Sequence, residues 1–349
     1  MTAPAGDAAP DGVSFRLLGP HEGHVLTSLI SAVYGDSYDV RWVYDAHEVA
    51  ARLAEGRYVS VVAESATGKL LCHMGMSLAT TGDLVAHSGQ AVTLPAARGH
   101  HVFTRTKRFL MDWARGAGLR GMYSEVTAAH PYSERANIAV GAHETGFLLG
   151  WIPASVANDA ALDARRRRRS AAFFYTKLGD GSARDVYAPE RHLPVVTRTL
   201  EVCDLRGTPA RPPGDAVLRA RSTLHVDIEA DHAIAILTVT APGADLGDVV
   251  RAERHHLFHR RGVDAVYLDL PLDDPATALV ADHLEELGVS YSGIFPNSRA
   301  DGDVLRMQSL HRVRIAADDV VVASDHGRDL LDYVLADLPA DARASPAAR

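Results

Sequence analysis

The chain holds only two cysteines, Cys72 and Cys203, among 349 residues. Two thiols make neither a disulfide framework nor a paired-cysteine zinc site. Long apolar runs are missing as well. No segment approaches the roughly 18 consecutive apolar residues that a membrane-spanning helix needs. Positive charge is not in excess: 36 Lys and Arg against 44 Asp and Glu give a net charge of −8. That balance argues against a general grip on nucleic acid. Residues 1–12 are largely Ala, Pro, Gly and Asp, without the apolar stretch of an export signal. The expectation is a cytoplasmic protein with neither a membrane nor a nucleic-acid partner. What is present suits a globular chain, with 47% hydrophobic and 23% charged residues. The length fits about two domains.

Periodicity divides the chain into alternating elements. A strand is expected at 13–18 and a helix at 20–33, with Val25, Leu29, Ile30 and Val33 on one face. A loop holding Tyr34, Tyr38, Trp42 and Tyr44 leads to a helix at 46–54. Strands follow at 58–64, 70–78 and 84–94, with Gly68-Lys69 and Gly82-Asp83 as turns. A helix at 102–115, a strand at 121–126, a helix at 134–143, a strand ending at Trp151 and a strand at 171–178 complete the first half. The loop 152–169 ends in five arginines, residues 165–169, read as a solvated face or as a flank for phosphates. Beyond a linker at 179–185 come a helix at 189–200, strands at 216–226 and 233–241, and a helix at 246–261. A strand at 263–270, a helix at 275–287 and strands at 289–295 and 304–313 follow. Residues 1–12 and 339–349 are expected to be disordered.

The second half repeats the order of the first. Gly118-Leu119-Arg120-Gly121-Met122-Tyr123-Ser124-Glu125-Val126 lies over Gly262-Val263-Asp264-Ala265-Val266-Tyr267-Leu268-Asp269-Leu270. Pro131 and Pro275 open the next helix at the same offset. Gly146-Phe147 and Gly288-Val289 follow those helices. The expected architecture is two α/β domains, 13–179 and 186–338, each a mixed central sheet flanked by helices.

Chemistry concentrates in the first half. The turn Arg98-Gly99-His100-His101 follows an apolar strand and opens a helix. A helix start offers unpaired N–H groups and a positive dipole end, a seat for phosphate. The second half has Ala241-Pro242-Gly243-Ala244-Asp245 there. Its Asp caps the helix and repels phosphate. Beside the first seat lie Glu125, His130 and Ser133. Glu125 reads as a general base or as a salt-bridge or capping residue. His130 reads as a proton shuttle or a packed turn histidine. Ser133 reads as a helix N-cap or as a hydrogen bond to substrate or cofactor. His255 and His259 share a helix face, but no third ligand accompanies them, so no metal is expected. No Gly-x-Ser-x-Gly elbow supports hydrolysis.

On the Arg98-Gly99 turn and the element order, residues 13–179 resemble the GCN5-related N-acetyltransferase (GNAT) family. The whole chain resembles a tandem arrangement with a degenerate C-terminal copy. Arg98 and Gly99 match the start of the family's pyrophosphate loop. His101 and Phe103 stand where the family has two glycines. The resemblance implies acetyl-CoA, or another acyl-CoA, as cofactor, held by Val92, Leu94, Arg98, Gly99, His100, His101, Val102, Phe103 and Ser133. It implies that strands 84–94 and 121–126 splay apart around the pantetheine arm. The acceptor amine would then arrive over Tyr34, Tyr38 and Trp42, with Glu125 and His130 managing its protons. The tyrosine that the family uses as general acid is replaced by Ala142, leaving Tyr175 or His130 as candidates. The expected function is acyl transfer to the amine of a small molecule, by a monomer or homodimer, because two fused copies wall in a cleft. The alternatives are a non-catalytic module binding CoA or a small molecule, and an acyltransferase fed by a carrier-protein thioester docked on residues 165–169.

Overall fold

Local signals set the first elements of the chain. Asp45 accepts hydrogen bonds from the His47 and Glu48 N–H groups and so caps α2 (Ala46–Ala54). In α1 (Gly23–Tyr34), Leu26, Leu29 and Ile30 form one buried stripe. These helices follow β1 (Ser14–Leu17) and precede β2 (Tyr58–Glu64), β3 (Leu70–Ser77) and β4 (Val85–Thr93). Next come α3 (Val102–Gly116), β5 (Gly121–Thr127), α4 (Tyr132–Ile138), β6 (Ala142–Ile152) and β7 (Arg169–Lys177). The second half runs β8 (Arg184–Val186), α5 (Leu193–Val202), β9 (Gly207–Pro209), β10 (Thr223–Glu229) and β11 (Ile234–Ala241). It continues with α6 (Leu246–Arg260), β12 (Ala265–Pro271), α7 (Ala276–Glu286), β13 (Ser290–Arg299), β14 (Gly302–Leu310) and α8 (Asp325–Asp337). This computed structural model describes residues 12–38, 40–80, 83–156, 167–299 and 302–344. No helix among them is long and apolar enough to cross a membrane.

Twelve strands join in one mixed sheet, ordered β1-β2-β3-β4-β5-β7-β6-β13-β14-β12-β11-β10. Two neighbouring pairs are parallel, β4 with β5 and β11 with β12. The path β11–α6–β12–α7–β13–β14 follows the same neighbours as β4–α3–β5–α4–β6–β7: in each, the last strand inserts between the two before it. The halves meet edge to edge at one register point, Gly146 against Gly293. A Cβ on Gly146 would lie 2.4 Å from Ser292 O, so the seam needs glycine there. Around the seam, side chains take over from the ladder. Ser292 Oγ donates to Phe147 O at 2.9 Å, Tyr267 Oη donates to Leu149 O at 2.9 Å, and Leu149 N–H donates to Gln308 Oε1 at 3.0 Å.

The largest core runs through both halves. Phe147 and Phe174 of the first share it with Val196 and Leu200 of α5 and Leu330, Leu331 and Val334 of α8. Helix α8 lies across β6 and β13. Its N-cap is Ser324, whose hydroxyl accepts from Gly327 N–H and donates to Glu144 of β6. The first half also holds clusters of its own, Met74, Leu110 and Met122 under α3 and Leu26, Ile30 and Val62 under α1 and α2.

Some elements differ from the sequence reading. Helix α4 ends at Ile138, because Gly141 adopts φ +82° and turns the chain out, so Ala142 and His143 begin β6. Strand β10 starts only at Thr223, since the backbone before it folds over the start of α6. Residues 340–342 make a 3-10 turn, and Arg343 bridges to Ile315, so the tail is ordered this far. Residues 1–11 and 345–349 lie outside the described residues.

Candidate active site

The pairing of β4 with β5 covers three residues, ending at His87 opposite Tyr123. Beyond that point the strands part. Gln90, at φ +50°, marks an irregularity in β4 where it slips against β3. Its buried Oε1 has no partner among the described residues. At the far end of β4, Arg98, Gly99, His100 and His101 are exposed, and His101 holds the left-handed φ of +56° just before α3. A histidine thus occupies a conformation that suits glycine. The first N–H groups of α3 have no partner within the helix and lie beside Arg98.

Strand alternation aims β5. Met122 packs under α3 with Leu110, Met111 and Ala114, while Tyr123, Glu125 and Thr127 face the other way. They face a cleft of about 420 Å³ that both halves line. Tyr34 and Tyr38 stand on one side, their rings 4.8 Å apart. Trp151, Phe295, Arg306 and the Glu229–His232 turn stand on the other.

Inside this cleft, His87 Nε2 lies 2.7 Å from Glu125 Oε2. The imidazole reaches the carboxylate by lying flat over Gly89, where a Cβ would come within 2.7 Å of the ring. The ring also packs 5.1 Å from that of Tyr123. Burial pushes the Glu125 carboxyl up, but the charges of His87 and Arg306 and the His87 hydrogen bond outweigh it. The group is held below the usual carboxylate range and is ionised at neutral pH. Arg306 is itself locked to Asp269 by two 2.7 Å bonds and lies against Phe173 and Phe295.

The sequence-read residues are divided by the fold. Glu125, Tyr34 and Tyr38 come together in the cleft. Trp42 does not; it packs edge-on to Tyr58 at 5.0 Å, with Arg52 over its ring. His130 lies at the turn after β5, beside Tyr132, and its buried Nδ1 has no partner among the described residues. It does not line the cleft. Tyr175 is sealed in the core: Asn297 Nδ2 donates to its hydroxyl at 2.8 Å, and the hydroxyl donates to Arg120 O. Burial pushes that phenol up, which suits a fixed hydrogen bond rather than a proton donor. Ser133 is not the N-cap of α4. Pro131 holds that position, and Ser133 O accepts from Asn137 Nδ2 within the helix. Val92 and Leu94 direct their side chains into the core under α1 and α2, leaving only backbone toward the gap. Val102 is buried at the start of α3, and Phe103 is half-buried beside it.

The second half has no comparable seat. Asp245 accepts from Ser222 N–H at 2.6 Å, and the Arg221 backbone packs directly on Gly243. The chain itself fills that helix start. The arginine run is also engaged. Arg168 bonds Gly150 O, His232 O and Asp264, Arg169 bonds Val156 O, and Arg167 pairs with Asp319. Residues 165 and 166 lie outside the described residues. His87, Gln90 and Arg306 are site residues that sequence reasoning missed. The sequence signal for His87 was its place in an alternating strand, two residues before Gly89.

No protein-family model matches the chain, and no curated protein matches it. Among solved structures, the chain is similar to a GNAT superfamily phosphinothricin acetyltransferase from Sinorhizobium meliloti in complex with acetyl-CoA. The identity is 20% and the TM-score 0.40, covering 49% of this chain and 91% of that one. It is also similar to the ribosomal-protein-S5-alanine acetyltransferase from Vibrio fischeri, with 12% identity and a TM-score of 0.40 over 51% of this chain and 98% of that one. The ribosomal-protein-S18-alanine N-acetyltransferase from Escherichia coli gives 12% identity and a TM-score of 0.39, over 49% and 96%.

Proposed function

We propose that this chain transfers an acyl group from acyl-CoA to the amine of a small molecule. The observation that carries this reading is the Glu125–His87 pair, set where β4 and β5 part and open to an aromatic cleft. The residues at hand fit the cofactor. Arg98 and the open N–H groups from Gly99 to Phe103 suit its phosphates. The β4 edge beyond His87, free of β5, suits a polar arm, and Gln90 Oε1 is a buried acceptor that can take an amide N–H. When bound, acyl-CoA supplies an activated thioester. Glu125, kept ionised, takes the proton of the incoming ammonium directly or through His87. Tyr34 and Tyr38 guide the amine, and Trp151 and Phe295 exclude water from the pair.

The second half, on this reading, is a copy that has lost its phosphate seat and serves as the far wall. On this reading 13–179 and 186–338 are two copies joined through one continuous sheet. A carrier-protein donor docked on the arginine run is disfavoured, because Arg168 and Arg169 are used within the fold.

The test has two stages. Calorimetry with CoA should show binding. Acetyl-CoA with a panel of small amines should then release free thiol. Binding without release on any amine would favour the non-catalytic module, and no binding would end the reading.

A further inference from the structure

Lys107 sits where a packed core has no need of a cation. It lies on the sheet side of α3 and is 2% exposed. Its ammonium donates to Asn137 Oδ1 of α4, and Ser124 Oγ of β5 donates to the same oxygen at 3.3 Å. Asn137 Nδ2 donates to Ser133 O, which fixes the amide with its oxygen toward Lys107. No carboxylate pairs with Lys107 among the described residues, and burial pushes its ammonium down to about 7.

The place of this cluster is defined by the fold. Helix α3 returns along β4 from the open helix start, so Lys107 lies about 7.5 Å along the axis from Val102. Ser124 is the first β5 residue past the last β4–β5 pair. Its neighbour Glu125 projects to the opposite face. The gap between the strands is therefore flanked by Glu125 and His87 on one face, and by Lys107, Asn137 and Ser124 on the other. A carboxylate with its imidazole and a buried ammonium thus lie on opposite faces of the sheet where β4 and β5 part.

Building on the acyl-transfer reading, we propose that Lys107 is the catalytic acid that protonates the leaving thiolate. The amine nitrogen forms its bond to the acyl carbon, and the C–S bond breaks with its electron pair on sulfur. Lys107 Nζ gives its proton to that sulfur and becomes a neutral amine. The acceptor ammonium loses two protons: the Glu125–His87 pair passes the first to solvent as the amine forms, and the second, lost after attack, returns through water to Lys107. Atoms and charge balance with no further reagent.

The experiment follows the thiol of bound CoA by its thiolate absorbance, with the desulfo-CoA complex as blank. In the wild-type complex part of the thiolate signal should appear near pH 7, paired with the Lys107 ammonium, and this early phase should be absent in Lys107→Met. Equilibrium unfolding of both proteins shows whether the variant keeps its fold, and Lys107→Gln provides a second, polar replacement. In turnover, both variants should lose about 10²-fold or more in kcat, with KM for acetyl-CoA nearly unchanged. They should also lose the alkaline limb that a donor of this kind imposes. Equal thiol titration in wild type and variants overturns the role of Lys107, as does a wild-type kcat that still rises at high pH. Failure of CoA to bind at all defeats the acyl-transfer reading itself. Binding with an unshifted thiol defeats only Lys107.

Discussion

Glu125→Gln separates a base from a structural anion. The amide keeps the shape of the side chain and its contact with His87 Nε2, 2.7 Å away. What disappears is one negative charge beside His87 and Arg306. Arg306 keeps its own counter-ion, since both its bonds to Asp269 are intact. The perturbation is therefore confined to the Glu125–His87 pair. Loss of a general base costs about 10²–10⁴ in rate, or about 3–5 kcal/mol of barrier. CoA affinity should hold, because Arg98 to His101 lie at the other end of β4. Linkage gives a second readout. The folded carboxyl is held below its unfolded value, so it stabilises the fold above that unfolded value. This contribution fades as pH falls through the folded one. Glu125→Gln should thus lower the urea midpoint at neutral pH and match wild type in strong acid. Steady-state kcat across pH, calorimetry with CoA and urea unfolding at two pH values are the assays. A variant with full kcat and an unshifted acid limb would refute the base role. A variant that loses CoA binding would show that the charge cluster holds the gap open instead.

Three further outcomes test the surrounding argument. Arg98→Glu should weaken CoA binding by about 1–3 kcal/mol in calorimetry, the loss of a charge-assisted contact; an unchanged affinity would remove this turn from the site. Gly146→Ala forces a methyl to within 2.4 Å of Ser292 O at the seam and should cost about 1–3 kcal/mol in urea unfolding, monitored at once by probes in both halves. Glu134 is buried, and burial raises its carboxyl to about 8 against the donated Ala323 N–H. A raised acid stabilises the fold below its unfolded value and loses that stability as pH climbs to about 8. The wild-type midpoint should therefore fall over this range relative to Glu134→Gln, and parallel curves would contradict it.

What could be read in the sequence follows from the range of each signal. Helix α2 and strand β2 have the expected bounds, 46–54 and 58–64, because the Asp45 cap and continuous apolar burial are local properties. Helix α8 was missed despite the Leu330, Leu331 and Val334 spacing behind Ser324; Arg328, Asp329 and Asp332 lie on its exposed side and leave that stripe unbroken. The end of α4 was misplaced because Gly141 was not read as its stop. Other features depend on register between distant strands. Glu125 stood out as a candidate from its strand, but its partner His87 is 38 residues earlier by subtraction of their numbers, and they meet only because β4 and β5 are parallel neighbours that then diverge. Arg306 enters the cleft because β14 inserts between β12 and β13, which no local pattern reveals.

The two halves place a carboxylate at the same step of the corresponding strand and treat it oppositely. Glu125 of β5 stands across from Phe173 of β7, so no cation faces it from that strand, and its partner is instead His87 of β4. Asp269 of β12 stands across from Arg306 of β14, which closes on it with two bonds. A single residue type at the facing position thus decides whether the carboxylate is available to a ligand or locked in the wall. The helix starts make the same choice: α3 opens on exposed Arg98 and His101, while α6 opens on Asp245 with the backbone of residues 221 and 222 against it. In the first half, an open carboxylate and an open helix start lie at the two ends of the parted strand β4. In the second, both are closed by the chain itself, yet Arg306 still reaches across the seam and helps keep Glu125 ionised. On the proposed duplication and the proposed base role of Glu125, the second copy would take part in the chemistry, since the charge of Arg306 helps keep Glu125 ionised.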